Sequence, residues 1–219
     1  MTKNDTSQTR RRTLFALGAT TLLVGGLPWR PVSAATANDT PIAPIQQLNA
    51  ALLATMKQGP RTPFAERYRT LAPTIEQVFD LDGVLARSVG LSWASLPQAQ
   101  QAVLGNAFRR YTVSSYLANF DSFSGQSFQV LPQTRAAGDG QVVVESRLVR
   151  ADGAPVAMDY VMNRGPKGWQ AVDVLMNGAI SRVAVQRSDF RELLRQGGVP
   201  ALTASLEHKV ADLSGGMLT

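Results

Sequence analysis

The sequence predicts an α+β domain: one antiparallel four-stranded sheet with helices gathered on one face. Three observations predict it. Apolar residues recur at helical spacing from Pro41 to Phe120. Short alternating runs separated by Asp, Gly and Pro turns occupy Ser127 to Met176. The helical pattern then returns from Ile180 to Leu213. Strands followed by helices, rather than alternating with them, exclude a parallel βαβ layout.

The helical elements follow in order. Ile45, Leu48, Leu52, Leu53 and Met56 mark the first helix, which Gly59-Pro60 stops. Phe64, Tyr68 and Leu71 mark a second short helix. Pro73 is expected to open a third, carrying Ile75, Val78 and Phe79, since proline suits a first helical turn. Asp80-Leu81-Asp82-Gly83 has the composition of a cap and predicts a further helix to about Val89. Ser95 is expected to cap a long helix, with Pro97 in its first turn. Along that helix lie Val103, Leu104, Ala107, Phe108, Tyr111, Tyr116, Leu117 and Phe120, more aromatic surface than one narrow stripe needs.

The strands form a meander. Ser127 to Leu131 is the first. Gly138-Asp139-Gly140 turns into Gln141 to Arg150, and Asp152-Gly153 turns into Pro155 to Arg164. Gly165-Pro166-Lys167-Gly168 turns into Trp169 to Met176. On the third strand Val156, Met158, Tyr160 and Met162 share one face. On the last, Trp169, Ala171, Asp173 and Leu175 alternate with Gln170, Val172, Val174 and Met176, and Asn177-Gly178 closes the strand. Two final helices, Ile180 to Gln196 and Val199 to Leu213, are separated by Gly197-Gly198.

Ahead of this domain stands a leader. Met1 to Arg12 is polar and ends in three arginines. Leu14 to Leu27 is apolar, and small residues then offer cleavage after Ala34 or Ala37. This is the layout of a secretory signal, so residues 1–37 are expected to be removed on export to the periplasm, leaving 38–219 as one domain. The apolar run is shorter than the roughly 20 residues a membrane span needs. Arg11-Arg12-Thr13-Leu14-Phe15 resembles the twin-arginine motif, and an ordinary secretory signal with a basic start fits the same residues.

Composition excludes several functions. The chain of 219 residues carries a formal net charge of +6. Five basic residues and one acid fall within positions 1–37, so the remainder is close to neutral. A nucleic-acid backbone binder needs clustered Lys and Arg, and no nucleic acid partner is expected. With no Cys and one His, thiolate chemistry and a zinc site are unexpected. No cofactor is expected either, since no phosphate-cradling glycine loop appears.

Catalytic groups are sparse. His208 sits in the charged run Glu207-His208-Lys209 and reads as a solvated surface residue. Asp80 and Asp82 read as a cap and turn. Asp159 and Asp173 fall on strands, where either could serve as a buried acid beside a tyrosine. Arg109-Arg110 and Arg182, Arg187, Arg191 and Arg195 are spaced along helices. They read as solvated faces, or as a docking surface for an acidic partner or an anionic headgroup.

A set of ordered segments resembles the MlaC (toluene-tolerance, auxiliary transport) family. They are Phe79-Asp80-Leu81, Gly90-Leu91-Ser92-Trp93, Ser95 to Gln101, Phe108-Arg109-Arg110-Tyr111 with Tyr116, Val156 to Tyr160, Gly168-Trp169, Val172-Asp173-Val174, Gly178 to Ser181, Ser188-Asp189-Phe190 and Gly197-Gly198. Asn119 to Gly125 and Ile180 to Phe190 look more like the hopanoid-biosynthesis-associated (HpnM-like) branch. The resemblance implies a periplasmic lipid carrier with an apolar cavity between helices and sheet. It implies a phospholipid or hopanoid ligand. It also implies an inner-membrane ABC transporter with MCE-domain subunits and an outer-membrane lipoprotein complex as partners. Adaptable methionines and sheet-face apolar residues suit a variable lipid tail. The expected cavity residues are Phe108, Tyr111, Val144, Leu148, Val156, Met158, Tyr160, Met162, Val174 and Met176. The competing class is an enzyme of cone-shaped α+β fold acting on polycyclic lipid, built on Asp159 or Asp173.

Overall fold

The computed structural model describes residues 39–150 and 153–218. The expected leader and Asp152 lie outside these described residues. Helices α1 (Ile42–Gln58), α2 (Phe64–Val78) and α3 (Leu81–Val89) come first. A 3₁₀ turn (Gly90–Ser95) and the long α4 (Gln98–Asn119) follow. Strands β1 (Ser127–Gly138), β2 (Gln141–Val149), β3 (Val156–Gly165), β4 (Gly168–Met176) and β5 (Ile180–Ser181) then form one antiparallel meander in sequence order. Helix α5 (Arg182–Ser214) is the last element. The α+β class stands, with five strands in place of four.

The fifth strand follows from Asn177-Gly178. Both residues adopt positive φ, 52° and 74°, the pair a tight hairpin turn requires. The chain therefore reverses rather than simply ending its strand, and Ile180 pairs with Met176. Two residues are too few to show a period in sequence.

Three further elements differ from expectation. α2 runs unbroken through Pro73, because its buried stripe of Phe64, Arg67, Leu71, Ile75 and Val78 is continuous. Pro73 sits on the exposed side. Only the hydrogen bond its nitrogen would have made is lost. Ser95 does not cap α4: its hydroxyl donates to the Ser92 carbonyl within the 3₁₀ turn. The Gln101 side chain instead donates back to the Trp93 and Leu96 carbonyls at 3.1 and 3.0 Å. β1 extends past Leu131 to Gly138, with an irregular register between Val130 and Thr134 that accommodates Pro132.

The expected break at Gly197-Gly198 is present inside α5, where both residues leave helical geometry. Gly198 has φ 65°, and a side chain on Gly197 would meet the Ala201 methyl at 2.8 Å. Only glycine fits both demands.

The helices cover one face of the sheet. Ile45, Leu48 and Leu52 of α1, Leu71 and Ile75 of α2, Leu85 of α3, and Leu104 and Leu117 of α4 are all fully buried. They join Val144, Tyr160 and Met162 of the sheet and Phe190, Leu202 and Leu206 of α5 in one continuous core. The alternation expected along β4 breaks at Val172. Val161 pairs with Asp173 and the next residue, Met162, pairs with Ala171, leaving Val172 as an extra residue. Ala171 and Val174 consequently both join the core.

Candidate functional site

One end of the helix–sheet interface does not close. Where β2 ends and β3 begins, a cavity of about 280 Å³ opens between the sheet, α3, α4 and the start of α5. Its size lies just below the roughly 300–1,000 Å³ common for small-molecule sites.

α4 supplies one wall. Phe108, Tyr111, Thr112, Ser115, Tyr116 and Asn119 line the cavity, and their spacing of three and four residues makes one helical stripe. Leu81 and Val84 of α3 and Val183 of α5 add apolar surface. Asp80 fixes α3 by accepting the Gly83 N–H at 3.0 Å. It also donates its own N–H to the Ala171 carbonyl at 3.1 Å. The expected cap is therefore real, and it also pins the helix start to β4. Leu148, Val156, Met158, Val174 and Met176 form the sheet wall.

Aromatic rings close the inner end. Phe79 packs against Tyr116 at 5.6 Å and Tyr160 at 6.3 Å between centroids. Tyr116 stacks on Phe120 at 6.0 Å, and Phe120 meets Phe128 at 5.8 Å. Burial pushes both the Tyr116 and Tyr160 phenols upward from their ordinary range. The Tyr160 hydroxyl is buried beside the Tyr116 hydroxyl, outside ordinary hydrogen-bond geometry. Neither phenol is therefore suited to give up its proton near neutral pH.

Exposed polar residues mark the mouth: Asn119, Arg150 and Arg182. Neither arginine forms an ion pair with a described residue. The one acid on the wall, Asp173, is occupied structurally. It accepts the N–H groups of Val174 at 2.7 Å and Val183 at 3.1 Å, and the Ser181 hydroxyl. Ser181 in turn accepts the Ala184 N–H at 3.0 Å, which starts α5. An apolar wall with a cationic mouth can hold an amphiphile tail-first.

Seven of the ten expected cavity residues lie on this wall: Phe108, Tyr111, Leu148, Val156, Met158, Val174 and Met176. Val144, Tyr160 and Met162 do not. They face the same side of the sheet but further along it, packed in the core with no exposed surface. Thr112, Ser115, Asn119 and Arg150 lie outside the expected set because they are polar. Arg182 belongs to the arginines expected to suit an anionic headgroup. Phe79, Leu81, Val84, Tyr116, Phe120 and Val183 are apolar lining that the expected set also lacks. The i, i+4 continuation from Phe108 along α4 was the available signal.

The other candidate groups lie elsewhere. Asp159 is 7% exposed on β3 and accepts the Ser146 N–H at 3.3 Å. It shares its sheet face with Val161, opposite to Met158 and Tyr160, and does not line the cavity. His208 is exposed beside Asp212 at 3.4 Å and does not line it either. Asp82 is exposed, 3.5 Å from Arg109.

The model of the MlaC protein family matches residues 46–208, which include the whole sheet, α2 to α4 and most of α1 and α5. Among solved structures, the chain is similar to a phospholipid-binding protein from Ralstonia solanacearum in complex with a phospholipid. The two share 25% identity and a TM-score of 0.67, over 78% of this chain and 97% of that one. The sheet, the helical layer and the match over most of the chain together establish that this protein belongs to the MlaC family.

Proposed function

We propose that the protein is a lipid carrier that holds the tail of a phospholipid in the cavity between α4 and the sheet, with the headgroup at Arg150 and Arg182. The observation that carries this reading is the cavity itself: an aromatic and methionine-lined wall with a mouth bearing two arginines. Exposing a tail of about fourteen carbons to water costs roughly 11 kcal/mol, at about 0.8 kcal/mol per CH₂. A shuttle must replace the membrane interior with protein surface, and this wall does so. A neutral polycyclic lipid of the hopanoid type would leave both arginines without an anion, so the phospholipid is preferred.

The leader supports export to the periplasm, where such a carrier would exchange lipid with membrane-bound partners. By the family reading these are an inner-membrane ABC transporter with MCE-domain subunits and an outer-membrane lipoprotein complex. A binding role is favoured over an enzymatic one, because the acid on the wall already serves three donors. The test is organic extraction and mass spectrometry of the purified protein. About one phospholipid per chain is expected. Absence of any lipid, with no uptake of labelled phospholipid, would overturn the proposal.

A further inference from the structure

A second concave surface lies on the other side of the α3–α5 pair from the cavity. It is a depression of about 950 Å³ lined by α3, the 3₁₀ turn and α5. Four arginines line it, Arg87, Arg187, Arg191 and Arg195, and no acid does. The last three recur every fourth residue, so they stand in one row along α5. Asp80 pairs with Arg87 at 3.8 Å, and Glu192 with Arg195 at 2.7 Å. Arg187 donates to the Arg87 carbonyl at 2.9 Å. Arg191 makes no ion pair or side-chain hydrogen bond among the described residues. The surface therefore keeps a net positive charge after its internal pairs are counted.

Beside the arginines the 3₁₀ turn thrusts out Leu91, which is 103% exposed. Trp93, half-buried on the same turn, follows it. An isolated exposed leucine is unremarkable. A fully projecting leucine next to a tryptophan and a basic hollow is the composition of a bilayer-facing surface. There apolar groups enter the acyl boundary and arginines bracket lipid phosphates.

We propose that this face docks the carrier on an anionic bilayer surface. Leu91 enters the boundary, Trp93 sits at headgroup level, and Arg187 and Arg191 engage phosphates. The proposal rests on the carrier reading for its purpose, since a carrier must approach a membrane, but it concerns a separate face. Its chemistry predicts steep salt dependence.

The test is co-sedimentation of the full chain with phosphatidylcholine vesicles with and without phosphatidylglycerol. The leader is common to every variant, so differences between variants report this face. The part of the binding that the variants remove is expected to require phosphatidylglycerol and to fall with salt. Arg191→Glu is expected to weaken it at least about tenfold, on the basis of roughly fivefold per arginine near an anionic surface. Leu91→Asp should weaken it similarly. Both side chains are exposed, so neither substitution threatens folding, and lipid extracted from the cavity should be unchanged. Vesicle binding that neither variant alters, or a loss in the variants that is the same with and without phosphatidylglycerol, would overturn the proposal. So would failure to bind vesicles while a polyglutamate peptide binds in an Arg191-dependent way, which would give the face to an acidic protein segment. A chain that carries no lipid yet docks on anionic vesicles would sink the carrier reading and leave this one standing.

Discussion

The Asp173 carboxylate on β4 accepts the N–H of Val183 in the first turn of α5 at 3.1 Å. The same carboxylate takes the Ser181 hydroxyl, which itself caps the helix through Ala184. One side chain therefore joins the sheet to the helix that completes the cavity. Asp173→Ala leaves these donors without their acceptor and is expected to cost about 1–3 kcal/mol of stability. Urea denaturation measures it. Asp173→Asn keeps one acceptor oxygen and should cost less. Retained lipid should fall in both, since Arg182 and Val183 lie on the tethered turn. A catalytic Asp173 would instead show turnover lost in a stable Asn variant.

Cavity wall and core are distinguishable by overpacking. Val156 faces open volume, whereas Val144 is wholly buried. Val156→Trp should cost less than about 1 kcal/mol, because the ring enters existing space. Val144→Trp should cost about 1–3 kcal/mol or more. Lipid recovered per chain should drop at least about tenfold for Val156→Trp. Equal costs at the two sites would show that the wall is ordinary core.

The Tyr160 hydroxyl is buried, and the Tyr116 hydroxyl beside it lies outside ordinary hydrogen-bond geometry. Removing an unsatisfied donor while keeping the ring is neutral or favourable, so Tyr160→Phe should preserve or raise stability by up to about 1 kcal/mol. A clear loss in thermal unfolding would mean that the hydroxyl is satisfied in solution.

Asp159 gives a pH dependence whose sign is fixed. Burial, the larger influence, raises its pKa, while the Ser146 N–H lowers it. The folded chain thus holds this proton more tightly than the unfolded chain. Its contribution to stability falls as pH rises from below the unfolded carboxylate's range through the folded one. Asp159→Asn should be more stable than the parent at neutral pH, and the gap should close in acid. Denaturant melts at both pH values check it. A less stable Asn variant at neutral pH would mean that the Ser146 bond outweighs burial.

The layout of helices and hairpins was legible because period and turn chemistry agree along most of the chain. Asp139-Gly140 and Asn177-Gly178 each need positive φ at both positions, and their residue types announce it. Pro73 misled because its side chain faces solvent, and sequence does not say which side of a helix a proline takes. The bulge at Val172 was not legible, since it arises from pairing with β3 rather than from β4 itself. For the cavity, apolar alternation found the correct face of the sheet but not the position along it. Val144 and Met158 look alike in sequence. Only the three-dimensional course of α4 and α5 separates the closed core from the open end.

The sheet edges carry a last consequence. β1 is interrupted between Val130 and Thr134 around Pro132, and β5 has only two residues. Beyond β5 the edge of β4 is met at Ala171 by Phe79 and Asp80, so neither side of the sheet offers a long, regular, uncovered row of backbone groups for a second chain to zip on. Crowding many copies together therefore does not turn one molecule's sheet into a template for the next.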